Sequence, residues 1–248
     1  MKRGGPATRL HEKGAEVPAM TWIARRRGAN TARRVLLGAI CLGLGLAMSG
    51  CVIAAVIGGM AQSYRESSTR KVEAEYRGLE GKTYAVIVAA DRVIQANHPG
   101  VVPVLTQRIN ERLYDHAGAA GWIPTSDTLA WLLNHPQWKS RAFGELAEAL
   151  GVERIVFIEL TEYRLHDPGN RYEWSGIAAG TVSVIEADGP LPDEFMFERA
   201  VRVRFPDSTG FGPMDMSGQQ VASVLIARFV DRASWLFYDH QEPYYPDY

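Results

Sequence analysis

Thr83-Tyr-Ala-Val-Ile-Val-Ala-Ala90 is an uncharged run rich in β-branched side chains. A run like this, without polar alternation, suits a strand covered on both faces, as in the parallel sheets of α/β proteins. Asn97-His98-Pro99-Gly100 then opens a helix. Its inner stripe is Val101, Leu105, Ile109 and Leu113, and Arg108, Glu111 and Arg112 take the wet side. Gly118 and Gly121 end it, and Trp122-Ile123-Pro124 is a short second strand. This strand–helix–strand unit is expected to be a right-handed crossover with parallel strands.

Thr125-Ser126-Asp127 offers a cap for a helix over Leu129 to Leu133, which ends at Asn134-His135-Pro136. Ser140 is expected to cap a further helix carrying Phe143, Leu146, Ala147 and Leu150, with Gly151 as its left-handed C-terminal cap. Arg154 to Leu165 is a strand that starts apolar and then alternates, and His166-Asp-Pro-Gly-Asn170 makes the turn. Tyr172 to Glu186 returns as a long strand whose glycines point to a bulge. After the loop Ala187–Glu194, Phe197 to Phe205 alternates. Phe197, Val201, Val203 and Phe205 share one face with the intruding Arg199, while Glu198, Arg202 and Arg204 share the other. Pro206 to Pro213 is a Gly/Pro-rich loop. Ser217 and Gln220 form a capping box for a closing helix through Val221, Leu225, Phe229, Ala233 and Phe237. The fold class is therefore α/β, α+β-like: one mixed sheet of about five strands with helices packed on it, in the order β-α-β-α-α-β-β-β-α.

Upstream, Arg25-Arg26-Arg27 and Arg33-Arg34 precede Val35 to Met48, an apolar core closed by Met48-Ser49-Gly50-Cys51. Positive charge, an apolar core and small residues at a cleavage point are the parts of an export signal. The quartet Met48–Cys51 resembles the lipobox of bacterial lipoproteins. The resemblance implies cleavage between Gly50 and Cys51 and acylation of the Cys51 thiol, so that the protein's first partner is membrane lipid. The competing reading is an uncleaved anchor, because Val35–Met60 is 26 residues without a charge, and about 20 apolar residues span a bilayer. Either way the arginines leave the amino end inside and everything after Met60 outside. Val52, not aspartate, follows the cysteine, and this leans toward the outer membrane. Cys41 is filler within the apolar core. Translation beginning at Met20 would give a leader of ordinary length.

The chain divides into a leader (1–50), an apolar segment and polar tether (51–81), one mixed α/β domain (82–240) and an aromatic tail (241–248). Residues 1–50 hold nine of the 27 Lys/Arg and two of the 28 Asp/Glu, which leaves 18 basic against 26 acidic residues after them. An acidic domain is not a nucleic-acid binder of the usual kind, which shows a basic stripe. Beyond Cys51 there is no cysteine, and so no disulfide and no cysteine metal site.

Within the domain, Glu145-Leu-Ala-Glu-Ala-Leu-Gly-Val-Glu-Arg-Ile-Val-Phe-Ile-Glu-Leu160 looks like the helix–glycine–strand segment of TolB amino-terminal-like domains, the group of the curli-secretion lipoprotein and the lipoprotein activators of peptidoglycan synthases. The resemblance covers about residues 82–240. It implies a domain that binds other envelope proteins without catalysis, and no functional residue transfers by position.

No catalytic set, metal set or cofactor cradle is read. The six histidines (His11, His98, His116, His135, His166 and His240) are not at ligand spacing. His98 and His135 sit before prolines at helix boundaries, where capping or solvation is expected. Gly-x-Ser-x-Gly is missing. Glu159, Glu162 and Asp167 are the best carboxylate set, but simple alternation puts Glu159 and Glu162 on opposite faces. Trp235, Phe237 and Tyr238, with Tyr244, Tyr245 and Tyr248, form an aromatic cluster. One reading makes Phe237 core and the tyrosines a solvent-facing tail. The other makes Trp235, Tyr238, Tyr244 and Tyr245 a contact for another envelope protein or for self-association. The rivals to such an interaction module are an enzyme using Glu159–Asp167 and a ligand-binding module using the loops Ala187–Glu194 and Pro206–Pro213.

Overall fold

A computed structural model describes residues 69–243; residues 1–68 and 244–248 lie outside that description, and with them Gly50, Cys51, Tyr244 and Tyr245. The architecture is a mixed α/β one. A five-stranded sheet runs in the order β3-β2-β4-β5-β6, built from β2 (Thr83–Ala90), β3 (Gly121–Trp122), β4 (Arg154–Arg164), β5 (Gly176–Glu186) and β6 (Phe195–Phe205). The strands β3, β2 and β4 are parallel, and β5 and β6 continue antiparallel.

Helices cover both faces, which is why β2 is buried almost throughout. On one face lie α2 (Val101–His116) and α5 (Gly218–Ser234). They bring Leu105, Ile109, Leu113, Leu225 and Phe229 against Val86, Val156, Ile158, Val182 and Val184. On the other, α3 (Thr125–Asn134) and α4 (Phe143–Leu150) cover Ala85, Ile87, Ile155 and Ile185. A short α1 (Arg92–Asn97), capped by Asp91, precedes α2. Fully burying one such aliphatic side chain contributes about 1.5–3 kcal/mol, so these two layers supply most of the driving force.

Local signals act as expected at Gly151, which is left-handed (φ 71°), and at Ser217/Gln220, where both arms of the capping box are made. Elsewhere the caps differ. Pro124 precedes α3 without a side-chain cap, and Thr125 Oγ1 instead accepts from Asn110 Nδ2 at 3.3 Å. Ser140 lies in a 3₁₀ turn and donates to the Gln137 carbonyl, so α4 starts at Phe143 behind Ala142.

The tether and tail expected at 51–81 and 241–248 are folded wherever they are described. Thr69–Val72 forms β1 and pairs antiparallel with β7 (His240–Pro243), with Thr69 opposite Pro243 and Val72 opposite His240. Leu79 is 1 % exposed, and Tyr76 packs against Phe197 and Phe237. Backbone pairing with the far end of the chain orders a stretch that carries no apolar period of its own.

One bulge lies in β4, between Leu160 and Glu162, with Gly180 of β5 opposite Leu160, and another lies in β6 at Met196. The β4 bulge reverses the side-chain alternation beyond it. Tyr163 joins Leu160 on the core face, and Glu162 comes round to the face of Glu159, where they stand opposite Ala179 and Thr181. The expectation of opposite faces is thus corrected.

Candidate functional site

Of the aromatic residues singled out, Trp235, Phe237 and Tyr238 are described, and the structure brings them to one place. α5 ends in a 3₁₀ turn, Trp235–Phe237, and the chain doubles back as β7. Phe237 goes into the core at 2 % exposure. Tyr238 is nearly buried as well, its hydroxyl 3.2 Å from Ser234 Oγ. Trp235 is half-buried and lies almost parallel to His240, with ring centroids 4.6 Å apart and planes 7° apart. Arg232 sits 5.6 Å from the Trp235 ring centroid. His116, at the end of α2, lies 4.8 Å from Tyr238.

These rings wall a cleft of about 650 Å³ that Arg77, Arg112, Glu80 and Asp239 also line. Its cations are held. Arg77 pairs with Asp239 and, at 3.4 Å, with Glu80, and Arg112 pairs with Asp231 at 3.0 Å. The backbone N–H of Ala74, followed by Lys71 and Arg77, holds the Asp239 carboxyl below its ordinary range. Burial raises that of Asp231. A second cleft of about 390 Å³ shares Trp235 and His240 and is lined by Arg70, Arg199, Arg202 and Arg232. The β1/β7 ribbon lends His240 to both clefts and is gripped by Glu242. That carboxylate is 3 % exposed and accepts from Arg70 Nε at 2.7 Å and from Arg232 Nη1 at 2.9 Å. Flat aromatic faces beside fixed guanidinium groups make a surface suited to recognition. The parts that sequence reasoning missed, His116, His240 and the arginines, come from separate elements. Only the folding back of β7 assembles them.

The carboxylate set is placed differently from what an acid–base pair needs. Glu162 lies between Arg164 Nε at 2.9 Å and Arg202 Nη1 at 2.8 Å, and the Arg164 bond first of all pulls its pKa down. Asp167 pairs with the same Arg164, which likewise lowers it. Glu159 is exposed on the shared sheet face. The two long loops lie at opposite ends of β6, whose 11 residues span about 33 Å, so they do not converge on one ligand. His98 and His135 are the C-cap residues of α1 and α3, each with its N–H on a helix carbonyl. Among the described residues no group of three or more His, Cys, Asp or Glu could hold a metal ion, and no helix is long and apolar enough to cross a membrane.

No family model and no curated protein matches the chain. Solved structures similar to it include a PelC dodecamer from Paraburkholderia phytofirmans, at TM-score 0.38 and 14 % identity over 69 % of this chain and 98 % of that one. Another is lipoprotein GNA1162 from Neisseria meningitidis, at TM-score 0.40 and 10 % identity over 58 % and 93 %. A third is the hypothetical protein CT253 from Chlamydia trachomatis, at TM-score 0.33 and 17 % identity over 62 % and 98 %.

Proposed function

We propose that the chain is a cell-envelope lipoprotein, exported by its leader and acylated at Cys51, whose α/β domain recognises another envelope protein without catalysing a reaction. The observation that carries this reading is the run of arginines, apolar core and Met48-Ser49-Gly50-Cys51 at the front of an acidic, cysteine-free domain. On this reading the domain stands on the far side of the inner membrane, facing the periplasm, and Val52 after the cysteine favours the outer membrane as its final support. Support for recognition comes from the Trp235/His240 cleft, where rings are presented and Asp239, Asp231 and Glu242 are engaged with arginine or lysine.

The test is the mass of the mature amino terminus, followed by capture from detergent extracts with wild-type and Trp235→Ala bait. The reading expects a chain that begins at an acylated Cys51, together with a protein recovered by the wild type and lost with Trp235→Ala. An unlipidated chain with its leader intact overturns the anchor. Identical recoveries from both baits overturn the docking site.

A further inference from the structure

β6 closes one side of the sheet and has no strand beyond it among the described residues. Its backbone direction is fixed by one contact: the Arg204 carbonyl accepts from Arg228 Nη1 at 2.7 Å and so points away from β5. In a strand the N–H and C=O of one residue leave on the same side, and the side alternates along the chain. Glu198, Ala200 and Arg202 therefore also aim their backbone groups outward. Their side chains lie on the sheet face that α3 and α4 leave open at this edge, and all three are exposed. Glu198 makes no ion pair among the described residues.

From this edge we propose that two copies of the chain join through β6, antiparallel about a two-fold axis at Ala200, so that their sheets become one of ten strands. The occupant of the edge is a second copy because the strand is complementary to itself. Pairing about Ala200 sets Glu198 of each copy opposite Arg202 of the other, twice over. It also sets Phe197 opposite Val203. Of the registers centred on the other outward-facing residues, the two on either side do not fit. A pairing about Glu198 sets Glu198 against Glu198, and one about Arg202 sets Arg202 against Arg202, and directly opposed like charges destabilise a ladder. An 11-residue edge is otherwise a liability for uncontrolled pairing, and a self-complementary charge pattern turns it into a specific contact. The inference is independent of the lipid anchor: loss of acylation leaves it standing, and a monomeric chain leaves acylation standing.

The test uses the full chain purified in detergent. Glu198→Arg alone and Arg202→Glu alone each oppose like charges twice in their own homodimer. Mixed in equal amounts, they restore two attractive pairs. Association of the mixture should be stronger than that of either variant by roughly tenfold to a hundredfold, given what opposed charge pairs contribute in a ladder. Ala200→Cys leaves both charges in place and keeps the test open should a charge variant misfold. The two-fold brings these cysteines within disulfide reach, so oxidation should link the chains covalently. If the mixture associates no better than the single variants and the Ala200→Cys chains stay unlinked under oxidant, the proposal is overturned.

Discussion

Arg70 donates from Nε to Glu242 at 2.7 Å, and so joins the first described strand to the last through a carboxylate that is 3 % exposed. Because the side chains of β1 are exposed apart from Val72, the ribbon draws little from burial and depends on this contact and on Arg232. Glu242→Ala should lower stability by about 1.5–3 kcal/mol, the range for hydrogen bonds to charged groups. The loss should appear first as faster amide exchange in residues 69–72 and 240–243. Arg70→Ala should cost less, because Arg70 is half-exposed and Arg232 still holds the carboxylate.

Gly180 faces the bulge, and a Cβ there would lie 2.5 Å from the Glu159 carbonyl oxygen. That oxygen belongs to a paired backbone and cannot move aside as a side-chain tip can. Gly180→Ala should therefore force β4 and β5 apart at the bulge and destabilise by about 2 kcal/mol. The change should lower the urea midpoint with the denaturant slope unchanged.

The layers are legible in the sequence because burial imposes periods: the unbroken apolar β2, the four-residue stripe of α2 and the alternation of β6 each name their covered face. What cannot be read there depends on groups far apart in sequence. Thr69-Arg-Lys-Val72 and His240-Gln-Glu-Pro243 carry no period, and they are strands because each completes the other's backbone hydrogen bonds. Gly180 does signal close backbone approach, but the extra residue sits in the partner strand, so simple alternation misassigns the faces of Glu159 and Glu162. The aromatic cluster is visible as composition, whereas its division into the buried Phe237 and Tyr238 and the half-buried Trp235 needs the turn after α5.

His98 lies edge-on to Tyr163, with ring centroids 4.8 Å apart, and burial lowers its pKa below the ordinary value of about 6.5. The fold thus holds the ring neutral. Its contribution is complete above about pH 6.5 and is lost as the pH falls toward the folded-state pKa, because the unfolded chain takes up the proton more readily. An NMR titration should give a His98 midpoint below about 6.5. His98→Phe should flatten the decline of stability on acidification in that window. A midpoint at or above the ordinary value would contradict the burial argument.

Trp235 and Tyr238 are only three residues apart, yet they predict opposite phenotypes. Tyr238 is 8 % exposed, with its hydroxyl at Ser234 and its ring on His116, so Tyr238→Phe removes one buried hydrogen bond and should cost about 1 kcal/mol. It should leave partner capture unchanged once the protein is folded. Trp235→Ala removes a half-buried ring that stacks on His240 beside Arg232 at the boundary of the two clefts. If that ring anchors a partner, its loss should cost at least about 2 kcal/mol of binding, or roughly thirtyfold in affinity, the scale of a tryptophan hot spot. Thermal unfolding measured beside binding separates the two cases. Binding that falls only in proportion to stability would assign Trp235 to packing, and a loss of roughly thirtyfold with an intact fold would assign it to recognition.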